Sequence, residues 1–127
     1  MPAARRRALL GLVGAIASEQ LALDAGADRV EARRRLLALP GIGPWTVEYI
    51  SMRALRDPDA FLAGDLGGRH ALEQLGQSGE PAAAMMLAEH WRPYRAYAVQ
   101  HLWASLGASP RARHDTAARL TPDRLAA

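Results

Sequence analysis

Cysteine is absent from the 127 residues, so no disulfide can form and no thiolate can ligate a metal. That absence suits a protein of the reducing cytoplasm. Lysine is absent as well, and all sixteen basic residues are arginine. Base-composition bias in the genome is the simplest source of that skew, and the net charge of +3 argues only mildly for a polyanionic partner. No apolar run reaches the roughly 18 residues a membrane span needs. Nor does any stretch alternate polar and apolar residues as a half-buried strand would, and no internal repeat is visible. Met1-Pro2-Ala3, Arg5-Arg6-Arg7 and a short apolar run superficially look like a secretory leader. A cleavage region is missing between Gly14 and Glu19, so a mature amphipathic helix is the expectation.

What remains is a chain punctuated for helices, and the expected fold class is all-α. Leu9, Leu10, Val13 and Ile16 are spaced for one face of a helix over residues 4–18. Asp28-Arg29-Val30-Glu31 has the form of a capping box and opens a helix that runs to Leu39. Arg33 to Arg35 read as a solvated face of it. Pro40 stops this helix and Pro44 starts the next, which runs to about Leu55. Further helices are expected over residues 66–75, from Pro81 with Met85, Met86 and Leu87 facing inward, and from about Pro93 to Leu106. Gly67 and Gly68 weaken the first of these by about 1 kcal/mol each relative to alanine. One domain over residues 1–107 and a mobile tail over 108–127 are expected.

The organising stretch is 36–50, LLALPGIGPWTVEYI, a helix, a tight hairpin and a second helix. Gly41 and Gly43 can adopt positive φ and admit close backbone approach. The hairpin amides and the following helix N-terminus offer an anion site.

Leu39-Pro40-Gly41-Ile42-Gly43 with Thr46, then Phe61-Leu62-Ala63-Gly64-Asp65, then Trp91 to Ala98, together resemble the helix-hairpin-helix DNA glycosylase superfamily. The resemblance runs from about Arg5 to Leu106 and is greatest to the alkylation-repair branch, DNA-3-methyladenine glycosylase II, of which the chain looks like the C-terminal part. It implies a base-excision-repair enzyme that removes alkylated purines of the 3-methyladenine type from double-stranded DNA. Asp65, twenty positions after Trp45, then stands as the catalytic carboxylate beside an oxocarbenium-like sugar. Capping of the next helix is its competing role. Trp45 occupies the place where strand-cutting members carry a nucleophilic lysine, so the resemblance implies a monofunctional enzyme that leaves an abasic site.

Trp45, Tyr49 and Trp103 match the family's pocket for a cationic base, held by stacking and cation–π attraction, with a core role as the alternative. Gly41, Ile42, Gly43 and Thr46 match the DNA-binding hairpin. The main-chain carbonyls of Leu37, Leu39 and Ile42 match a monovalent-cation site. The absence of cysteine rules out the iron–sulfur cluster of some members, and the four histidines show no zinc spacing.

Departures from the family pattern are the helices expected ahead of Arg5, Gly67-Gly68 after the aspartate, and Ala104 beside Trp103. They leave a second reading open: a truncated, weak or inactive helix-hairpin-helix module that only binds DNA. A monomer, or part of a longer polypeptide, associated with the bacterial nucleoid and not with a membrane, is expected in either case.

Overall fold

In the computed structural model, residues 1–107 are described, and the expected tail over 108–127 lies outside them. The described residues form six helices and no strand: α1 (Ala3–Ala17), α2 (Arg29–Ala38), α3 (Pro44–Arg53), α4 (Leu66–Gln74), α5 (Pro81–Ala88) and α6 (Arg95–Gly107). A single 3-10 turn, Glu89–Trp91, joins α5 to the corner before α6. The all-α expectation holds, and the helix boundaries follow the breakers: Pro44 and Pro81 each open a helix at its first turn, where a proline gives up no needed N–H.

Two apolar clusters share α3 as a common wall. Val47 and Ile50 of α3 meet Leu12, Leu21, Ala32, Leu36 and Leu55 on one side. Tyr49 and Met52 meet Phe61, Leu62, Leu72, Val99 and Leu102 on the other. Leu36, Leu55, Leu72 and Val99 are completely enclosed, and each such side chain contributes about 1.5–3 kcal/mol of burial. Ser51 is buried between the clusters and donates its hydroxyl to the Val47 carbonyl at 2.8 Å, so its burial leaves no orphaned group.

The apolar stripe of α1 takes a definite side, and three local expectations need correction. The stripe Leu9, Leu10, Val13 and Ile16 lies on the outside of α1, and no residue of that helix is fully buried. Leu12 and Ala15 face the cluster instead, because α1 is apolar on nearly every side and contact with α2 and the hairpin decides which face turns in. Met85 and Met86 are exposed, while Ala84 and Ala88 pack inward. Small side chains let α5 sit close against α4 and α6, whereas methionines there would hold it off. The capping box is half formed: Asp28 accepts from the amides of Val30 and Glu31, at 2.9 and 3.0 Å. Glu31 does not reach back, since Arg34 and Arg35 hold its carboxylate and pull its pKa down to about 2.

Arg33 is not part of a wet face. Its guanidinium bridges Glu48 of α3 at 3.1 Å and the buried Asp57 at 2.6 Å. Glu48 in turn accepts from the Phe61 amide at 3.2 Å, so one arginine ties α2, α3 and the loop leading to Asp65. Farther along that loop, Asp59 is clamped by Arg92 and Arg95. The loop is irregular in backbone yet fixed by ion pairs at Asp57 and Asp59.

Candidate functional site: a carboxylate held by two indoles

Asp65 ends the irregular segment and caps α4. Its Oδ2 accepts from the Gly68 amide at 2.7 Å, which satisfies one of the orphan donors of the helix N-terminus. Oδ2 also accepts from Trp103 Nε1 at 2.6 Å, and Oδ1 accepts from Trp45 Nε1 at 3.0 Å. Three elements therefore converge on one carboxylate: α3 through Trp45, α4 through its own amides, and α6 through Trp103. Partial burial pushes the Asp65 pKa up, but the indole and backbone N–H groups outweigh it and hold the carboxyl below its ordinary value. The group is an anion at neutral pH, held by neutral donors, and among the described residues no cation pairs with it.

Gly67 explains how Trp103 gets so close. A Cβ at that position would lie 3.2 Å from Asp65 Oδ2 and 3.3 Å from Trp103 Cδ1. The glycine pair that weakens α4 on propensity is the gap through which the indole reaches the carboxylate.

The aromatic residues expected at the site are brought together. Trp45 stacks on Tyr49 with ring centroids 5.1 Å apart and planes 11° apart. Tyr49 meets Trp103 at 6.4 Å and 43°. Trp45 is 44% exposed, so a large aromatic ring stands open to solvent next to an anion.

The hairpin lies on the far side of Trp45. Gly41 takes φ +85° and passes against α1, where a Cβ would come within 2.9 Å of the Ala8 Cβ. Gly43 does not use its conformational freedom: its φ of −97° and ψ of 173° are extended, and nothing crowds its Cβ position. The expected positive φ at both glycines is met at Gly41 alone, because a single left-handed residue already completes the turn closed by Ile42 N–H to Leu39 C=O at 3.1 Å. Ile42 turns its side chain into the α1–α3 cluster and anchors the loop. Thr46 is half-buried in the first turn of α3. Among the described residues no acceptor faces the amides of Gly41, Gly43, Trp45 or Thr46, which is the arrangement that receives an anion at a helix start. Of the three expected cation-ligand carbonyls, that of Leu39 already accepts the turn hydrogen bond, while those of Leu37 and Ile42 carry none among the described residues. No group of three or more His, Cys, Asp or Glu side chains converges as a metal site among the described residues.

Sequence reasoning missed the donors on Asp65. The pair Trp45–Asp65 was legible as a spacing, but the direction of an indole N–H depends on how α3 meets the loop. It also missed the Arg33–Glu48–Asp57 bridge, for which only the excess of acidic residues at 57 and 59 gave a signal.

A hairpin between two helices, followed by an ionised aspartate among aromatic rings, agrees with the comparisons to known proteins, which support the DNA glycosylase family. Within that family the similarity is to the alkylation-repair branch. The chain is 52% identical over 106 residues to "Probable bifunctional transcriptional activator/DNA repair enzyme AlkA" of Mycobacterium tuberculosis, covering 84% of this chain and 21% of that protein. It is 34% identical over 110 residues to "DNA-3-methyladenine glycosylase 2" of Escherichia coli, covering 87% of this chain and 38% of that protein. Over 79 residues it is 33% identical to "DNA-3-methyladenine glycosylase" of Bacillus subtilis, covering 60% of this chain and 26% of that protein. The chain thus spans between about a fifth and two fifths of the length of these relatives. No family model matches it. No helix among the described residues is long and apolar enough to cross a membrane.

Proposed function

We propose that this chain carries the catalytic carboxylate and base platform of a monofunctional DNA glycosylase. On this reading it hydrolyses the N-glycosidic bond of alkylated purines of the 3-methyladenine type in double-stranded DNA and leaves an abasic site. The observation that carries the reading is Asp65, kept ionised by Trp45, Trp103 and the Gly68 amide beside an exposed Trp45–Tyr49 stack. As the bond to the base breaks, positive charge grows on the sugar, and a fixed carboxylate stabilises it without reorganising. With its oxygens pinned by donors, Asp65 acts chiefly as that electrostatic partner, and water supplies the nucleophile. The chain has no lysine, so a side-chain Schiff base and the strand cleavage that follows it are not open. An alkylated purine carrying positive charge is matched by the exposed electron-rich face of Trp45, with Tyr49 stacked behind it.

The amides of Gly41, Gly43 and Thr46 take a backbone phosphate, and a monovalent cation on the free carbonyls of Leu37 and Ile42 could bridge to it. The reading involves no zinc and no iron–sulfur cluster, and it places the protein on bacterial DNA in the cytoplasm. The weaker alternative is a helix-hairpin-helix module that binds DNA with little activity, for which the open amides of the hairpin would suffice.

The test is release of 3-methyladenine from methylated duplex DNA by the chain and by Asp65→Asn. The substitution keeps shape and removes charge, and a loss of a hundredfold or more in single-turnover rate is expected. Equal release by both would refute Asp65 as the catalytic group. Binding without release by either would select the binding-module reading.

A further inference from the structure

Beyond the hairpin, a second anion-seeking surface runs along α3. Trp45, Tyr49 and Arg53 follow one another at four-residue spacing on one face of this helix. The Arg53 guanidinium lies over the Tyr49 ring, 5.6 Å from its centroid. One turn farther, Arg56 stands at φ +51°, a left-handed conformation that a non-glycine residue seldom takes. Across from them on α6 lie Gln100 and Tyr97. Gln100 is tethered through its side-chain amide to Met52 Sδ at 3.0 Å. Tyr97 is 61% exposed and is braced edge-to-face by Tyr94 at 6.1 Å and 75°. Between the two helices is an open cavity of about 220 Å³.

Charge at this end of α3 is unbalanced. Arg33 bonds to both Glu48 and Asp57, and Arg29 stands 4.0 Å from Asp57. Both local carboxylates are thus taken, and among the described residues neither Arg53 nor Arg56 has an acidic partner. In contrast, Arg34, Arg35, Arg69, Arg92 and Arg95 are all ion-paired. A helix C-terminus ordinarily repels anions. Here Arg29 donates to the carbonyls of Leu55 and Arg56, which places a further cation on that end.

We propose that this groove is a second DNA contact, taking one backbone phosphate on Arg53 and Arg56 with Tyr97 against the adjoining sugar or base. It rests on DNA being the partner, as in the proposed function, but not on any catalytic role for Asp65. Arg53 of the groove lies over Tyr49, which stacks on Trp45, so a strand held there would lie along the same helix as the candidate pocket. Two guanidiniums suit a phosphate, and an exposed tyrosine suits a sugar or base without reading sequence.

The experiment measures binding of a fluorescein-labelled duplex by anisotropy at several salt concentrations, for the full chain, Arg56→Asn, Arg53→Gln and Tyr97→Ala. Asparagine tolerates the left-handed backbone, so Arg56→Asn removes charge without new strain. Each arginine variant is expected to bind three- to tenfold more weakly, with a log–log salt slope shallower by about 0.9. Tyr97→Ala should weaken binding and leave the slope unchanged. Arg34→Gln, on another face and paired to Glu31, is the control expected to match the parent. Unchanged affinity and slope in both arginine variants, while a Gly41→Val hairpin variant loses binding, would overturn the groove and leave DNA as the partner. A parent chain that binds no DNA would overturn both readings. Titration with deoxyadenosine monophosphate separates sources of phosphate: saturable binding lost in Arg56→Asn would assign the groove to free nucleotides and overturn the strand contact.

Discussion

Replacing Trp103 by phenylalanine isolates what the indole N–H does for Asp65. The ring stays, and the 2.6 Å donor to Oδ2 goes. A hydrogen bond to a charged group is worth about 1.5–3 kcal/mol, and the partial exposure of Asp65 puts this one near the lower end, about 1.5 kcal/mol. The smaller ring adds a packing loss of about 1 kcal/mol that does not depend on pH. Asp65 has a folded-state pKa below its unfolded value, so its stabilising effect is full above the unfolded value near 4 and is lost as pH falls through the folded one. Losing a donor raises the folded pKa toward normal and shrinks that effect. The variant should therefore be about 2.5 kcal/mol less stable than the parent at pH 7.5, with the gap narrowing toward about 1 kcal/mol as pH falls from near 4 through the lowered folded-state pKa. Urea unfolding of both proteins across that range, followed by far-UV circular dichroism, reads the difference directly. In an Asp65→Asn background the pH-dependent part should vanish. A gap that is the same at every pH would show that Trp103 only packs, and the account of Asp65 as an anion held by indoles would fail.

Two other perturbations test the supports of the site. Arg33→Met strands the buried Asp57 and the half-buried Glu48, and should cost about 3–5 kcal/mol; Asp57→Asn added to it should recover part of that loss, and strict additivity in urea unfolding would refute the bridge. Gly67→Ala places a methyl group 3.2–3.4 Å from Asp65 and Trp103, so base release should fall by tenfold or more. Folding stability should stay within about 1 kcal/mol of the parent, since alanine's helix preference offsets the crowding. Full activity in that variant would mean the indole need not approach so closely.

Helix starts and stops were legible because they are local chemistry. Pro44 and Pro81 open helices wherever the chain goes afterwards, and Asp28 and Asp65 cap from within their own turn. Helix faces were not legible where a helix is apolar all round. In α1, Leu9, Leu10 and Val13 are as suited to burial as Leu12, and only the position of the Gly41 turn against Ala8 decides between them. The same holds for α5, where close packing selects alanine over methionine. The three consecutive arginines of α2 make the point for charge. Arg34 and Arg35 find Glu31 one turn back, a pairing sequence can show, whereas Arg33 faces acids 15 and 24 positions away that only folding delivers.

At the site, residue identity and spacing were readable, but the use made of each side chain was not. Trp45 and Trp103 were legible as ring faces for a cationic base, yet each spends its single N–H on Asp65. These uses are coupled. An indole has one donor, in the plane of the ring, so directing it at a fixed carboxylate also fixes the plane of the ring. Trp45, oriented this way, stacks within 11° of Tyr49. The hydrogen bonds that keep Asp65 ionised are thus the same ones that set the aromatic platform beside it. Loss of the carboxylate should disorder the rings as well as remove the charge. Asp65→Asn, whose amide still accepts through one oxygen, is for that reason a cleaner probe of charge than Asp65→Ala, which would release both indoles at once.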